Sequence, residues 1–416
     1  MAWVHPDDES FSRRDLLSDT TIRELFTARL GLGVTSISSP EDHGVFHKLY
    51  FVSLSEAEGH SWSGRDVVLR VARKTFDRVK TENEMATLEL LRDSGVPVPK
   101  VVFFSADPHN SLGYEYNCLE KIPYPSLAKI WQNLSPSQLD TVLDQLVDIF
   151  VKVFDVGRPG RYGGLALGGG AGPVVEEAMW QIPDIARYFH SSPYNLTTET
   201  FASLNPTGFY ETWPDYVSAF LKSYHHIVSI HPAVSFLRDF LPRLQLLIDT
   251  LDKPQSTAEP WVQRLRTSEE LRPRLYHTDF HFGNILADVN GTIKGIIDWE
   301  FARMGPPFSV RMSWIGNIVS DVRATWPDNP VAQNIGSTWS GEFHKRLAER
   351  APQIAAIKER ESDRDAVLGT KGNALQWIWV CLRSALEYGV RSDESVEGSK
   401  GSWVKVLERE LQTLGL

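Results

Sequence analysis

The chain has 416 residues, of which 42% are hydrophobic and 23% are charged, and its formal net charge is −10. This composition is that of a globular protein with enough apolar material for a large core. An acidic protein lacks the positive field that attracts nucleic acids or anionic membrane surfaces, so we expect neither as a partner.

Three features of the sequence bear on its location. Cys118 and Cys381 are the two cysteines; they lie in apolar runs and are expected to be reduced and buried. Residues 1–8 lack the basic-then-apolar pattern of a signal peptide. The longest apolar run, residues 374–382, is interrupted by Gln376 and is too short to span a bilayer. We therefore expect a cytoplasmic protein.

The N-terminal part of the chain is rich in predicted strands. Residues 44–54 and 66–72 have strand-forming composition. In the second strand, apolar residues at odd positions share one face, whereas Val68 and Arg70 share the other. An arginine inside such a strand needs a partner.

A helix is predicted next, over residues 77–93. It places Glu84 in line with apolar residues one and two turns later. Gly95 is expected to end it, and the prolines that follow prevent it from resuming. Two further strands are predicted at residues 100–104 and 114–122.

Beyond Pro123 the pattern becomes mostly helical, and the predicted helices are 136–154, 214–230, 233–251 and 373–389. A strand-rich region followed by a helix-rich one predicts an α+β protein with two lobes, 1–122 and 123–416, joined near 119–123. The glycine-rich residues 157–173 lack the lysine of a phosphate-binding loop and are predicted to be a surface connection.

A hairpin is predicted around Asn290-Gly291, which lies between two runs of strand-forming residues. Pairing the runs outward from this two-residue turn sets Asn284 opposite Ile297. Asn284 then lies beside residue 298, although adjacent strand residues face opposite sides of a sheet. Their convergence therefore requires a twist, a bulge or a frayed end at this position.

The open end of the predicted hairpin gathers oxygen ligands. Asp298 lies beside Asn284, and Asp279, five residues earlier, comes to the same end of the sheet. Two carboxylates and an amide oxygen suit a hard cation such as Mg²⁺. The local pairing thus predicts a magnesium site.

The sequences HTDFHFGN at residues 277–284 and IDWE at residues 297–300 resemble the catalytic and metal-binding motifs of aminoglycoside phosphotransferases and choline kinases. These enzymes are distant relatives of protein kinases. The resemblance implies a two-lobed, kinase-like fold with ATP bound in the cleft. It further implies that Asp279 is the catalytic base and that Asn284 and Asp298 hold Mg²⁺ on the ATP phosphates.

The resemblance extends more weakly over most of the chain and implies a nucleotide-binding set. Arg70 falls at the position of the kinase lysine that contacts the α- and β-phosphates, and Glu84 at that of its helical partner. Val68 would pack on adenine. The main chain of the hinge would pair with adenine through the Glu120 carbonyl and the Ile122 N–H.

Gly44 and Lys48 fall where the family has its phosphate-covering loop, here with a single glycine. Three departures from the family pattern stand out. Arg70 replaces the lysine, although an arginine fork can still bind phosphate and a carboxylate together. Thr278 precedes the catalytic aspartate, as is usual in small-molecule kinases. Ser309 stands where an aspartate is expected.

These features together predict an ATP- and Mg²⁺-dependent phosphotransferase that acts on a hydroxyl group of a small molecule. One alternative is a nucleotide-binding protein without phosphotransfer, and another is an enzyme that uses ATP for adenylylation or carboxylate activation. A protein kinase is disfavoured because the Asp-Phe-Gly and Ala-Pro-Glu signatures are missing. A zinc pair of His277 and His281 is disfavoured because a loop, not a helix, is predicted there. The sequence identifies neither the acceptor nor the oligomeric state.

Overall fold

The computed structural model describes residues 16–40, 44–156, 160–306, 314–391 and 396–416. Two features of the sequence, the N-terminal segment 1–8 and the departure at Ser309, lie outside the described residues. Within the ranges that are described, no helix is both long enough and apolar enough to cross a membrane. Cys118 and Cys381 are free and buried, as expected.

The first part of the chain forms a five-stranded antiparallel sheet with strand order β1-β2-β3-β5-β4 and its associated helices. The elements to residue 156 are α1 (Asp19–Leu30), β1 (Val34–Ser38), β2 (His47–Leu54), β3 (Asp66–Ala72), α2 (Val79–Asp93), β4 (Val101–Ser105), β5 (Tyr116–Glu120), α3 (Leu127–Ile130), a 3₁₀ turn (Trp131–Asn133) and α4 (Pro136–Asp155).

The alternation predicted for β3 determines which face of the sheet is the core. Val67, Leu69 and Val71 have no exposed surface and pack in a core that includes α1 and the other strands of the sheet. Val68 and Arg70 lie on the opposite face, as predicted. The helix predicted after this strand is α2, and Gly95 follows its end with a φ of 72°, a left-handed conformation that glycine adopts readily.

The rest of the chain is mostly helical. Its elements are β6 (Gly164–Leu165), β7 (Ala171–Gly172), α5 (Ile182–Ile185), a π-helical turn (Ala186–His190), α6 (Phe201–Leu204), α7 (Trp213–Ile230), a 3₁₀ segment (Pro232–Phe240), α8 (Leu241–Asp252), α9 (Pro260–Thr267), a 3₁₀ turn (Glu269–Leu271), β8 (Arg274–Tyr276), a 3₁₀ turn (Phe282–Asn284), β9 (Ile285–Ala287), β10 (Ile293–Ile296), β11 (Arg303–Gly305), α10 (Trp314–Thr325), α11 (Pro330–Arg350), α12 (Pro352–Ser362), α13 (Arg364–Arg391) and α14 (Val396–Leu414).

Two predicted helices differ from the structure. The single helix predicted over 233–251 is a 3₁₀ segment followed by α8, and Pro242 lies in the first turn of α8. Proline is favoured in a first turn and breaks a helix in which it would be internal, which accounts for the division. The helix predicted over 373–389 is the C-terminal part of the longer α13, which is kinked at Gly369 (φ 63°).

Contacts group the chain into two compact units. The first contains Met1–Val156, Asp279–Phe301 and Trp314–Phe343, and the second contains Gly157–Thr278, Ala302–Ser313 and His344–Leu416. The antiparallel sheet and the mostly helical remainder confirm the predicted α+β class. The predicted lobes, 1–122 and 123–416, are continuous stretches of sequence, unlike the two units that the contacts define. The division into lobes stays a prediction. All the predicted site residues lie in the first unit.

Aromatic side chains of the second unit pack around Tyr216. The Tyr216 ring lies 5.3 Å from that of Tyr162, 5.0 Å from that of Phe220 and 5.8 Å from that of Trp379. Tyr216 is fully buried, and its hydroxyl donates to Glu176. These aromatic residues are therefore core residues of this unit.

Candidate active site

The predicted hairpin is present as the antiparallel pair β9 and β10. Ile285 lies opposite Ile296, and the Ile297 N–H donates to the Asn284 carbonyl at 3.0 Å. This is the predicted register at the open end of the hairpin. A bulge after Ile293 separates this end from the turn.

The turn of the hairpin differs from the two-residue turn that was predicted. The Gly291 N–H donates to the Asp288 carbonyl at 2.9 Å, and Gly291 has a φ of 80°. The Asp288 carboxylate also accepts the N–H groups of Asn290 and Thr292. These bonds stabilise a three-residue loop that ends in a left-handed glycine. The extra loop residue and the bulge compensate each other, so the register at the open end is unchanged.

Asp298 leaves the strand through its backbone conformation. Its φ is 68°, in the left-handed region that few residues other than glycine adopt, although aspartate and asparagine do so more readily than most. The next residue, Trp299, is fully buried, and its indole N–H donates to the Ile296 carbonyl at 3.1 Å. The turn at Asp298 is the departure from strand alternation that convergence with Asn284 requires.

Asn284 and Asp279 are joined by hydrogen bonds. The Asn284 side-chain amide donates to the Asp279 carbonyl at 2.9 Å and lies 3.3 Å from the Asp279 carboxylate. The Asp279 side chain is 69% exposed, so a solvent-borne group can reach it. His281 lies 3.3 Å from the same carboxylate, and this hydrogen bond raises the His281 pKa above its ordinary value. His277 is buried.

The predicted ion pair between Arg70 on β3 and Glu84 on α2 is formed. Arg70 Nη1 donates to Glu84 Oε1 at 2.5 Å, and Arg70 Nη2 lies 3.6 Å from Asp298 Oδ1. Asn117 on β5 also donates to Glu84, at 3.5 Å. Burial opposes the charge on Arg70, but Glu84 and the other nearby carboxylates outweigh it and hold the Arg70 pKa above its ordinary value.

Sequence reasoning missed three residues beside this pair: His47 on β2, Lys80 on α2 and Glu300. The buried Lys80 ammonium donates to the Glu300 carboxylate and lies 3.3 Å from His47 Nε2. Glu300 is also 3.3 Å from His47 Nδ1. Lys80 could have been found, because it precedes Glu84 by one helical turn and so shares its face of α2.

His47 is neutral in this setting. Burial lowers its pKa well below the ordinary value, and the charges of Lys80 and Arg70 lower it further. Lys80 can only donate and the Glu300 carboxylate can only accept. The Lys80 ammonium thus faces Nε2, whereas Nδ1 faces both the Glu300 carboxylate and Arg70 Nη2, which lies 3.3 Å away and can only donate.

We call Arg70, Glu84, Lys80, Glu300 and Asp298 the ion cluster; it contains three carboxylates and two cations. Burial raises the Asp298 pKa well above its ordinary range, and repulsion from Glu300 adds to this effect although Arg70 opposes it. The Asp298 side chain nevertheless keeps 36% of its surface exposed, so a ligand can reach it. The ion cluster therefore has one more carboxylate than it has cations, and Asp298 is the carboxylate that a ligand can reach.

The side chains of Asn284 and Asp298 fit a magnesium ion. The described residues contain no set of three or more His, Cys, Asp or Glu side chains placed to hold a metal, so an amide or a substrate oxygen has to complete any ligand set. The Asn284 amide nitrogen is engaged with Asp279, which leaves its oxygen for a cation. Asp298 supplies a carboxylate oxygen and the negative charge that the cations of the ion cluster leave uncompensated, and oxygen ligands of this kind suit Mg²⁺.

The predicted adenine-binding positions lie together at one end of the sheet. Val68 is half-buried and pairs with Leu119, one residue before Glu120. The Glu120 N–H donates to the Lys100 carbonyl, and the Ile122 carbonyl accepts from the Tyr124 N–H. The groups that were predicted to face adenine are the Glu120 carbonyl and the Ile122 N–H, which these two hydrogen bonds do not use. Their pairing with adenine stays a prediction.

The predicted phosphate-covering segment is only partly on the Arg70 face. Gly44 is exposed, and a Cβ added there would meet nothing within 4 Å. Lys48 points with Tyr50 toward the core face of the sheet, opposite to Arg70; it is 2% exposed, and its ammonium lies 5.8 Å from the Tyr50 ring centroid. The structure therefore brings Arg70 and not Lys48 to the ion cluster.

Curated relatives match parts of the chain. A subtelomeric hrmA-associated cluster protein of Aspergillus fumigatus is 30% identical over 106 residues, which are 25% of this chain and 21% of that protein. Altered inheritance of mitochondria protein 9 of Debaryomyces hansenii is 24% identical over 310 residues, 66% of this chain and 48% of that protein. The chain thus matches less than half the length of these relatives.

Solved structures with similar folds include a macrolide 2'-phosphotransferase type I (14% identity, TM-score 0.39, covering 94% of this chain and 99% of that one). An ethanolamine kinase of Plasmodium vivax is similar at 13% identity and a TM-score of 0.40, over 91% of this chain and 82% of that one.

A model of the phosphotransferase enzyme family (APH) matches residues 58–309, more than half of the chain. The match includes Arg70, Glu84 and the whole hairpin with Asp279, Asn284 and Asp298. The antiparallel sheet followed by helices is the kinase-like arrangement that the sequence motifs implied. The chain belongs to the phosphotransferase enzyme family.

Proposed function

We propose that this phosphotransferase uses Mg·ATP to phosphorylate a hydroxyl group of a small molecule. The observation that supports this most is the position of Arg70, which binds Glu84 through one guanidinium nitrogen and lies 3.6 Å from Asp298 through the other. Two segments more than two hundred residues apart thus bring a phosphate-binding cation beside a metal-binding carboxylate.

In this proposal, the nucleotide binds on the Arg70 face of the sheet. Arg70 contacts the α- and β-phosphates, and Glu84 holds the guanidinium in place. Val68 packs on adenine, and the Glu120 carbonyl and the Ile122 N–H pair with its edge. Gly44 leaves room for the chain to approach the phosphates, because its surroundings are open.

Asn284 and Asp298 would hold Mg²⁺ against the β- and γ-phosphates. When bound, the ion would neutralise charge on the transferring phosphoryl group and its leaving group. Asp298 sits beside Arg70, so one carboxylate contacts both the phosphate-binding cation and the metal position. The Asn284 amide nitrogen remains bonded to Asp279, which links the metal position to the base.

Asp279 acts on the acceptor. Its exposed carboxylate accepts the proton of the acceptor hydroxyl as the hydroxyl oxygen attacks the γ-phosphorus. The bond between the γ-phosphorus and the bridging oxygen breaks, and the electron pair leaves with ADP. The products are ADP and a phosphate monoester, and the proton stays on Asp279 until it is released to solvent. The hydrogen bond from Asn284 keeps the carboxylate near the phosphate position.

For location, we propose the cytosol, in agreement with two free, buried thiols. The relative from D. hansenii is named as a mitochondrial protein, which makes the mitochondrion the alternative to examine. Fluorescence microscopy of a tagged full-length chain distinguishes the two compartments.

The proposed reaction is tested by an ADP-release screen against amines, aminoglycosides, sugars and alcohols, with mass spectrometry of the products. We expect ADP and one phosphorylated acceptor, and no turnover by Asp279→Asn. AMP as the product would indicate adenylylation or carboxylate activation instead. Mg·ATP binding without turnover for any acceptor class would favour a nucleotide-binding protein that performs no phosphotransfer.

A further inference from the structure

Lys80 is a buried cation that the proposed mechanism does not use. It is 2% exposed, and its ammonium lies 5.5 Å from the ring centroid of Phe46 and 5.9 Å from that of Phe301. A buried ammonium is costly unless it is paired, and here its pairing partners are Glu300 and the neutral His47. Such a residue requires an explanation beyond packing.

One face of helix α2 carries the side chains that bind both Arg70 and the segment after Asp298. Lys80 and Glu84 are one helical turn apart, and they bind groups from different parts of the chain. Glu84 binds Arg70 on the phosphate side, whereas Lys80 binds Glu300, two residues after Asp298. A displacement of α2 would therefore move the phosphate-binding arginine and the metal-binding segment together.

The segment that carries Asp298 needs such support. Its left-handed backbone, with φ at 68°, is sparsely populated for a residue other than glycine and persists where the surroundings enforce it. Glu300, with its side chain 7% exposed, anchors the segment just beyond this residue. Without Lys80, Glu300 would be a buried carboxylate without its cation, close to Asp298 and of the same charge.

We propose that Lys80 and Glu300 form a latch that positions Asp298 for the magnesium ion. This inference rests on the proposed function, because it concerns the metal of the same site. Both are positioning residues that act through the backbone at Asp298. Residues that orient metal ligands in this way affect metal affinity or activity by about 10- to 100-fold when they are replaced.

A purely structural ion pair would behave differently from a latch. Replacing both members of a buried pair by neutral side chains often restores stability, whereas removing one member leaves an unpaired charge. The double variant Lys80→Met/Glu300→Gln therefore separates the two roles. It should melt at a higher temperature than either single variant and still lack the latch.

The test measures binding of a non-hydrolysable ATP analogue by calorimetry, with Mg²⁺ and with EDTA, so that no acceptor is needed. The ratio of the two affinities is the magnesium-dependent gain. In Lys80→Met and in the double variant we expect this gain to fall about tenfold or more, with little change of affinity in EDTA. Lys80→Arg keeps the ion pair and should retain most of the gain.

The matched control is Thr81→Val, one residue along the same helix. Thr81 is buried, and its hydroxyl donates to Glu115 at 2.7 Å, outside the ion cluster. The substitution preserves shape and removes this bond, so it should lower the melting temperature and leave the magnesium-dependent gain intact. It shows how the gain responds to a loss of helix stability alone.

The latch, but not the proposed function, is overturned by a full magnesium-dependent gain in Lys80→Met or by the return of this gain in the double variant. The latch is equally overturned if Thr81→Val loses the gain as completely as Lys80→Met does. If the unaltered chain binds the analogue equally well in Mg²⁺ and in EDTA, or not at all, then the proposed function is wrong and the latch fails with it.

Discussion

The two aspartates of the candidate site differ in their surroundings, and the difference supports separate roles. The Asp279 side chain is 69% exposed and is bonded to the Asn284 amide, whereas that of Asp298 is 36% exposed and faces Arg70. An exposed carboxylate can meet an incoming acceptor. A carboxylate 3.6 Å from a guanidinium suits the role that we propose for it beside the phosphates and their metal.

We therefore expect Asp279→Asn to abolish turnover and to bind Mg·ATP with near-normal affinity. Asp298→Asn should lose turnover and most of its magnesium-dependent nucleotide binding, because the cation loses a charged ligand. Asparagine is the right substitute at 298, since it tolerates a φ of 68° and leaves the backbone in place. Calorimetry of each variant with a non-hydrolysable ATP analogue checks both effects. The opposite pattern would mean that the two roles are exchanged.

Arg70 is expected to act on ATP and on Glu84 together. Arg70→Ala should raise the KM for ATP and lower kcat, and it should leave Glu84 as a buried carboxylate without its cation. Arg70→Lys should recover part of the activity, because a point charge replaces some contacts and not the fork. Steady-state kinetics of the two variants provide the measurement. Normal ATP kinetics in Arg70→Ala would show that another group holds the phosphates.

Single residues were predictable from the sequence where one motif or one helical face contained the signal. The Arg70–Glu84 pair was predicted because the two residues fall at the positions of a strand–helix ion pair in the family that the sequence resembles. His47 and Glu300 were missed because their partner, Lys80, lies on a third segment, and no local periodicity connects the three. Lys48 was placed near the phosphates, whereas the pleat of β2 turns it to the other face.

At the scale of elements, the hairpin is the best-predicted part of the site. Its register follows from the strand pattern, and a loop one residue longer than predicted is offset by the bulge after Ile293. The convergence of side chains predicted that the strand is interrupted at this position, but it did not predict that the interruption is a left-handed turn at Asp298. The helix boundary at Pro242 was missed because apolar periodicity continues across it.

The hairpin also packs against the segment that was predicted to be the hinge, and Gly295 is one point of contact. A Cβ at this position would lie 2.2 Å from Ile122 Cδ1. Because Cδ1 is the far end of a flexible, half-buried side chain, Gly295→Ala should turn Ile122 aside at a cost of about 0.5–1.5 kcal/mol, with a higher KM for ATP. Gly341→Ala on α11 is the control, since a Cβ there meets nothing within 4 Å and alanine favours a helix. Urea unfolding of both variants checks this. Equal stability of Gly295→Ala and the unaltered chain would contradict the close packing.

At the scale of the whole molecule, charge is distributed unevenly. The chain has a net charge of −10, yet two of its cations, Arg70 and Lys80, are buried in the ion cluster. The composition predicted only the acidic balance, because the placement of individual charges depends on contacts between distant segments. In the proposed function, an anionic nucleotide would be held by Arg70 and the magnesium ion together and not by the general field of the protein, which repels anions.

Magnesium should be needed for ATP to stabilise the whole fold, since without it the phosphates meet Asp298 and Glu84 with like charge. Binding to the native state at a hundredfold excess over Kd adds about 2.7 kcal/mol of stability. Thermal melting with ATP should therefore shift upward far more in Mg²⁺ than in EDTA, and Mg²⁺ alone is the control for a general salt effect. In Asp298→Asn the difference between Mg²⁺ and EDTA should largely disappear. Identical melting curves of the unaltered chain with and without Mg·ATP would contradict nucleotide binding at this site.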